Sequence, residues 1–594
     1  MSDYRAPVGD IDFVLNRVCD YSAIAALPGY EHADPATASA LLEEAGRFMA
    51  QVLAPLNRTG DVEGVKWNPD YSVTTASGFI DAYKQYVDAG WGAVPFPIEY
   101  GGGAFPWIIA LALQEMMTAS NLSFSMCPLL TQGAIDAIVH HGSEIVRETW
   151  LPKMVTGEWS GTMNLTEPDA GSDVGALRST AKPVGDGTYK IHGQKIFISF
   201  GEHDMAENII HLVLARTPDA PPGTKGISLF VVPKFMVNDD GSLGARNDVR
   251  CLSVEHKLGI NASPTCVLEY GGESDGAIGY IVGEENHGMG YMFTMMNQAR
   301  LSVGLQGLAL SERSYQQALA FSQERRQGRA IGSAPGTSSP IIEHPDVRRM
   351  LMTMRSTIDA MRALLYANAE ALDLASHHPD ADVRTRQDEI AQLYTPLSKA
   401  WCTDMSIDLT GLGVQIHGGM GFIEETGAAQ HYRDARITTI YEGTNGIQAM
   451  DLVGRKLPMR MGGVINDHFA FLETELAAAA KVEALVGGAA AALQLVTECR
   501  DATSWIFEHA TEPLEVLSGA TPYQRMLAVV TAGTLLLKGA AAAHVHGDPH
   551  ADARVVSASF FSEQILPTAG GYLPSVKAGS QPLMVLDAEA LASR

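Results

Sequence analysis

The run Thr439-Ile440-Tyr441-Glu442-Gly443-Thr444-Asn445-Gly446-Ile447-Gln448 sets a carboxylate between an aromatic ring and a glycine. A Glu beside an apolar Ile/Tyr pair is suited to act as a base on a carbon acid. Burial lifts a carboxylate pKa by up to about 3–5 units, and a base is most useful with a pKa near the operating pH. The ordinary alternative is a Glu at a helix end on a solvated surface. Two upstream segments bear on the choice. In Met163 to Val174, Pro168 and Gly171 bend the chain and Thr166 and Ser172 offer hydroxyls. A glycine-containing loop of this kind exposes backbone N–H groups to an anion. In Gly193-Gln194-Lys195-Ile196-Phe197-Ile198-Ser199, an aromatic ring and a hydroxyl occupy alternate positions, and therefore one face, of a strand. Taken alone, Phe197 reads as a core residue.

The elements that must position these residues emerge from length and periodicity. The 594 residues exceed one core, and about 100–200 residues per domain implies roughly three to five domains. Residues 1–34 read as an N-terminal leader. Apolar residues then recur at three- and four-residue spacing, as in Ala40 to Phe48 and Ile108 to Met116, so 35–158 reads as an N-terminal helical domain. Tyr189–Ser199, Ile209–Ala215 and Gly226–Val232 are short, β-branched and turn-bounded, so 159–282 reads as a middle β domain. Helical periodicity resumes over 283–455, interrupted by a polar loop from Gln327 to Pro340. Residues 456–594 read as an extra helical domain, with Ala-rich helices at Leu476–Leu485 and Met526–His544.

Composition narrows the class. With 42 basic and 68 acidic residues the net charge is −26, and the segment from Lys456 onward carries −5. Nucleic acid and anionic membranes reward clustered basic charge, so neither is expected as a partner. Six scattered cysteines without a CxxC pair fit reduced thiols, and the chain's start lacks a signal-peptide pattern; a cytoplasmic location is expected. No apolar run approaches the length of a membrane span. His544, His546 and His550 lack a Cys or paired carboxylate to complete a metal site, and no metal is expected. Gly411-Leu412-Gly413 begins like a dinucleotide fingerprint but reaches Ile416 at its last position.

Taken in order, these segments resemble the acyl-CoA dehydrogenase family over about residues 40–455. The resemblance is carried by Thr166 to Asp173, Gly193 to Ser199, Met292 to Arg300, Glu324 to Gly328, Val414 to Phe422, Tyr432 to Arg436 and Tyr441 to Thr444. It implies an α+β fold: an N-terminal helical domain, a central β-barrel and a C-terminal four-helix bundle, with the additional helical domain beyond them. It also implies FAD as cofactor. Leu165, Thr166, Gly171 and Ser172 would bind flavin and its phosphates, and Phe197 and Ser199 would cover the isoalloxazine. Arg325 would reach the pyrophosphate of a neighbouring subunit's FAD, with Gln415 and Gly419 at its adenosine half and Thr444 a further contact. Sharing a cofactor in this way makes the chain a homo-oligomer, at least a dimer. Substrate contacts would come from Ser172, Asn297, Arg300, Tyr441 and Gly443.

Glu442 matches the family's catalytic base, which takes the α-proton of an acyl-CoA thioester and also donates its backbone N–H to the thioester carbonyl. A second branch places the base just before the residue matched by Arg300; here that residue is Ala299, which cannot accept a proton. Three positions depart from the pattern: Gly446 and Asn297 replace a Gln and an Asp, and Gly328 an aromatic. The reaction implied is conversion of an acyl-CoA to a trans-2-enoyl-CoA, with electrons leaving through an electron-transfer flavoprotein. The extra domain resembles the extended bacterial branch, which includes enzymes of 3-methylmercaptopropionyl-CoA, so that thioester or a short to medium acyl-CoA is the expected substrate. The alternatives on the same fold are an acyl-CoA oxidase and a DNA-binding flavoprotein, and the acidic charge opposes the latter.

Overall fold

The computed structural model describes residues 4–334 and 336–593. The chain forms two compact units. One comprises Glu43–Phe105 and Met116–Ser302. The other comprises the described residues of Asp3–Leu42, Pro106–Glu115 and Val303–Arg594.

The first unit joins helices to one curled sheet. Strands β1 (Trp159–Asn164), β2 (Thr180–Pro183), β3 (Thr188–Ser199), β4 (Asn208–Ala215), β5 (Ser228–Pro233), β6 (Val249–Val254), β7 (Thr265–Tyr270) and β8 (Ala277–Val282) form it. Their order is β6-β7-β3-β8-β5-β4-β1, with β2 also on β3. This sheet is what the expected central barrel turns out to be. Strand β1 runs parallel to β4 and the other pairs are antiparallel. Every residue of β4 and β5 is buried, the mark of strands covered on both faces. Helix α1 (Leu122–His141) is capped by Asn121, whose side chain accepts from the Phe124 N–H at 3.1 Å. It lies so close to β1 that a Cβ at Gly161 would sit 2.6 Å from the Ala134 methyl, and the Gly161 N–H donates to Thr131 Oγ1 at 2.9 Å.

The second unit is helical. It contains the second half of α2 (Gly288–Glu324), α3 (Pro345–His377), α4 (Ala381–His417), the short α5 (Asn445–Asp451), and the tail helices α6 (Ala520–His546) and α7 (Ala551–Gln564). Glycines let α2 approach α4: a Cβ at Gly304 would lie 2.7 Å from the Ser398 carbonyl oxygen, and one at Gly307 2.5 Å from that of Cys402. Helix α6 packs against α3, α4, α5 and α7. The described residues of the leader are folded too: Val14–Val18 packs on α6, where a Cβ at Gly539 would meet Val18 at 2.8 Å. The Ala-rich stretch Leu476–Leu485 is not one helix; a helix ends at Ala479 and the next begins at Val486, after the turn in which Val482 donates to the Ala479 carbonyl. The intervening apolar residues continue the helical spacing, which is why periodicity alone runs through the break. Two helices, Leu122–His141 and Ala520–His546, are long and apolar enough to span a membrane by composition, and each is 89% buried as a core helix. The expectation that no apolar stretch reaches that length is corrected here: scattered Gly, Ala and Thr let a buried helix match the hydropathy of a span.

A charged cluster sits inside this unit. Arg362 on α3 donates to Glu115 Oε1 from Nε (2.9 Å) and Nη2 (2.8 Å), and to Glu312 at 3.1 Å, while Tyr366 donates to Glu115 Oε2 at 2.8 Å. Burial pushes the Glu312 carboxyl above the usual range against the pull of Arg362. Asp359 continues the cluster toward Arg554 of α7 at 3.4 Å, and Arg554 also holds Asp10. Removing one member strands a buried charge, at roughly 3–5 kcal/mol. Arg362→Leu is therefore expected to lower the unfolding midpoint in urea markedly, and an unchanged midpoint would show that the cluster is not stabilising.

Candidate active site

Within the first unit, β1 delivers the chain into the Leu165–Asp173 loop, whose shape is set by a buried lysine. Lys195 is fully buried on β3, and its ammonium donates to the Leu165 carbonyl at 3.1 Å and to Glu167 Oε1 at 2.8 Å. Glu167 also accepts from the Ser179 hydroxyl (2.6 Å), the Ser179 N–H (3.1 Å) and the Arg178 N–H (2.6 Å). Burial pushes the Lys195 ammonium down to about 8. Burial also lifts Glu167, but Lys195 and the hydrogen bonds outweigh this and hold it below the usual range. Both shifts leave the pair charged at neutral pH, and five hydrogen bonds anchor a loop with little other structure. The Ile196 N–H donates to the Thr166 carbonyl at 2.9 Å, completing the tie between loop and strand.

The same strand breaks its alternation where the aromatic stands. Lys195 pairs with Leu268 and Ile198 with Cys266, so Ile196 and Phe197 together face the single residue Val267. Such a bulge re-aims side chains. Phe197 takes φ +60° and is 59% exposed, while Ile198 returns to the core. The core-residue reading of Phe197 is thus overturned, because alternation holds only where the ladder is regular. Ser199 is half-buried, Gly171 and Ser172 are exposed, and a Cβ at Gly171 would meet nothing within 4 Å. The loop thereby offers open backbone beside an outward aromatic ring. On α2, Asn297 is exposed, and the buried Arg300 donates to its Oδ1 at 3.3 Å and lies 6.0 Å from the Phe293 ring. Ala299 is buried.

In the second unit, the segment before α5 holds Glu442. Its φ is +56° and that of Gly443 is +83°, two successive residues in the left-handed region, where a residue with a Cβ is strained. Glu442 is half-buried, and its carbonyl accepts from Gln448 Nε2 at 3.5 Å. Tyr441 donates its hydroxyl to Gln306 of α2; burial first, and the Glu442 charge second, raise its pKa far above the usual value, so it stays a neutral donor. Thr444 caps α5, its Oγ1 accepting from the Ile447 N–H at 3.3 Å. Asn445 joins the segment to α4 through Lys399, Ala400, Thr403 and Asp404.

Elsewhere in that unit the ends of α2 and α4 meet. Phe321 stacks on His417 with ring centres 4.5 Å apart; Arg325 lies one turn beyond Phe321, and Gln415 and Gly419 stand two residues to either side of His417 in the chain. All three are exposed, and Phe422 next to them is 86% exposed. Gly328, at φ +64°, begins a hairpin-like loop in which the Ser339 N–H donates to its carbonyl. Among the described residues no group of His, Cys, Asp or Glu could hold a metal. Sequence reasoning assigns no task to Lys195, Glu167 or Asn445. Nothing local in the sequence marks the buried lysine or Asn445 for its task.

Comparison with known proteins places the chain in a family. Four family models match: acyl-CoA dehydrogenase N-terminal domain over 35–158, middle domain over 162–271, C-terminal domain over 286–457, and acetyl-CoA dehydrogenase C-terminal like over 469–587. A 3-methylmercaptopropionyl-CoA dehydrogenase of Ruegeria pomeroyi is 46% identical over 575 residues, 95% of this chain and 96% of that protein. A butyryl-CoA dehydrogenase of Syntrophomonas wolfei is 36% identical over 611 residues, 99% of each. The structure of Caenorhabditis elegans ACDH-11 in complex with C11-CoA shares the fold, with a TM-score of 0.77 at 20% identity, over 95% of this chain and 92% of that one. With all four domains matched and full-length relatives this similar, the chain belongs to the acyl-CoA dehydrogenase family and is an enzyme of that kind.

Proposed function

We propose that this chain carries out FAD-dependent α,β-dehydrogenation of an acyl-CoA thioester to the trans-2-enoyl-CoA, with the Glu442 carboxylate taking the α-proton. The observation that carries the reading is the backbone at Glu442. A non-glycine residue in the left-handed region costs on the order of 1–2 kcal/mol, and strain of this kind clusters at functional sites. The Glu442 N–H is assigned to the thioester carbonyl, where it stabilises the charge that develops as the α-proton leaves. Neutral Tyr441 and Gly443 flank the acyl group, while Ser172, Asn297 and Arg300 hold the CoA arm.

The residues present suit FAD. An exposed ring at Phe197, half-buried hydroxyl-bearing residues at Ser199 and Thr166 and the open backbone at Gly171 and Ser172 offer one stacking face and several polar contacts, with Leu165 buried at the root of the loop. Bound FAD supplies the acceptor for the hydride from the β-carbon. Thr444 is a further flavin contact. The exposed Arg325, Gln415 and Gly419 serve the cofactor of a second copy, so the working enzyme is a homo-oligomer, at least a dimer. An electron-transfer flavoprotein takes the electrons. Six free, buried cysteines suit a reducing cytoplasm. The substrate is a short acyl-CoA, with the thioether 3-methylmercaptopropionyl-CoA first among them, on the strength of the Ruegeria relative.

Glu442→Gln is expected to retain FAD and yet slow anaerobic flavin bleaching by acyl-CoA at least about 10³-fold, since it removes the base; bleaching at the wild-type rate would sink the assignment. Phe197→Ala is expected to weaken FAD retention about tenfold, the scale of a lost aromatic stack, as read by flavin fluorescence on dilution. Across acyl-CoAs of graded length, the thioether substrate and butyryl-CoA should bleach fastest. Turnover should require an added electron acceptor, whereas rapid peroxide formation without one would mark an oxidase.

A further inference from the structure

The additional C-terminal helical domain is joined to the segment that bears Glu442 by a continuous polar chain. Asn445, the first residue of α5, stands three residues after Glu442. Its amide oxygen accepts from Lys399 Nζ at 2.8 Å. Its amide nitrogen donates to the Ala400 carbonyl (3.1 Å), to Thr403 Oγ1 (3.0 Å) and to Asp404 Oδ1 (2.7 Å). The other carboxylate oxygen of Asp404 accepts from Arg525 Nε (3.1 Å) and Nη2 (2.9 Å), a fork that only an arginine offers. Arg525 belongs to α6, which packs on α4 and α5, and the neighbouring Gln524 donates to the Pro396 carbonyl of α4 at 2.7 Å. Gln524 thus adds a second polar tie between α6 and α4 beside the arginine.

We propose that Arg525 is a positioning residue for the catalytic carboxylate. By holding Asp404, and through it Asn445, it fixes the start of α5 and with it the left-handed turn at Glu442 and Gly443. The C-terminal domain thus sets the aim of the base without touching the substrate. The assignment rests on the reading of Glu442 as the base.

The physical case is that the turn is strained and must be held from outside. Thr444 and Asn445 are its anchors on the helix side, and among the groups that grip Asn445 it is Asp404 that the tail holds in turn. Without Arg525, Asp404 faces Asp408; burial first, and the Asp404 charge second, already raise the Asp408 pKa, and Arg525 opposes that rise. Repelled by Asp408 and no longer held by Arg525, Asp404 then turns toward solvent and releases the Asn445 amide. The Arg525–Asp404 pair is partly exposed and so contributes little to global stability, which means its loss need not unfold the protein.

The test uses the full-length, FAD-loaded enzyme with Arg525→Ala, Arg525→Lys, Asn445→Ala and the Arg525→Ala/Asn445→Ala double variant. Arg525→Ala is expected to slow anaerobic flavin bleaching about 10–100-fold, the usual effect of a small misplacement of a reacting group, with KM and flavin content within about twofold of wild type. Arg525→Lys should recover part of the rate. The double variant should be no slower than Asn445→Ala alone, because both act through one chain. Hydrogen exchange should rise at the amides of 445–451 and not at those of α7. A wild-type bleaching rate in Arg525→Ala, additive losses, or exchange that rises evenly over the tail would overturn the proposal. Glu442→Gln separates the two readings. If it is inactive while Arg525→Ala is normal, only the positioning role fails, and if it bleaches normally the base assignment falls with it.

Discussion

Two consecutive left-handed residues, one of them a glutamate, are the constraint around which the helical unit is arranged. Glycine at 443 accepts φ +83° without a steric penalty, but Glu442 at φ +56° does not, and an isolated chain would relax. The turn persists because both of its ends are held. Tyr441 is anchored to Gln306 on α2, and Asn445 is gripped by α4. Those helices are in turn pressed together at Gly304 and Gly307, where no side chain would fit. Backbone strain, helix spacing and the direction of one carboxylate are therefore a single problem, with the glycines of α2 and the amide of Asn445 as parts of its solution.

The β unit solves a similar problem by other means. Its Leu165–Asp173 loop is anchored in the core at Leu165 and Ala170, and a buried ion pair adds to that hold. One buried ammonium and one buried carboxylate, each satisfied by several donors or acceptors, replace the ladder that a regular strand would supply. The adjacent bulge then lifts Phe197 out of the sheet. Lys195 and the bulge lie on the same strand within three residues. The bulge spends a residue that the ladder does not pair, and Lys195 fills the inward position beside it.

Much of this is legible in the residues alone, and the reasons for the remainder are physical. The order of helical and β segments comes through in local periodicity, and the loop at Thr166 to Asp173 and the turn at Glu442 announce themselves through Pro, Gly and hydroxyl content. Phe197 reads wrongly as core because its orientation is decided by Val267 on another strand. The break after Ala479 is hidden because alanine and leucine continue a helix pattern through a turn as readily as through a helix. Asn445 stands inside the motif with no local sign of its task. Its partners lie about 40 residues earlier, and the arginine behind them 80 residues later, at separations where spacing carries no information.

The helical unit is also discontinuous, and that discontinuity has a bearing on how the chain acquires its structure. Asp10 is held by Arg554, 544 residues away, and the Val14–Val18 turn rests on α6. At ribosomal rates of about 5–20 residues per second, the leader waits roughly half a minute to two minutes for its partners to be made. The β unit, all of whose segments end by Ser302, is complete long before that. Maturation is thus vectorial: the β unit can be finished while the helical unit is still open, and helices made late close the unit that the first helices began.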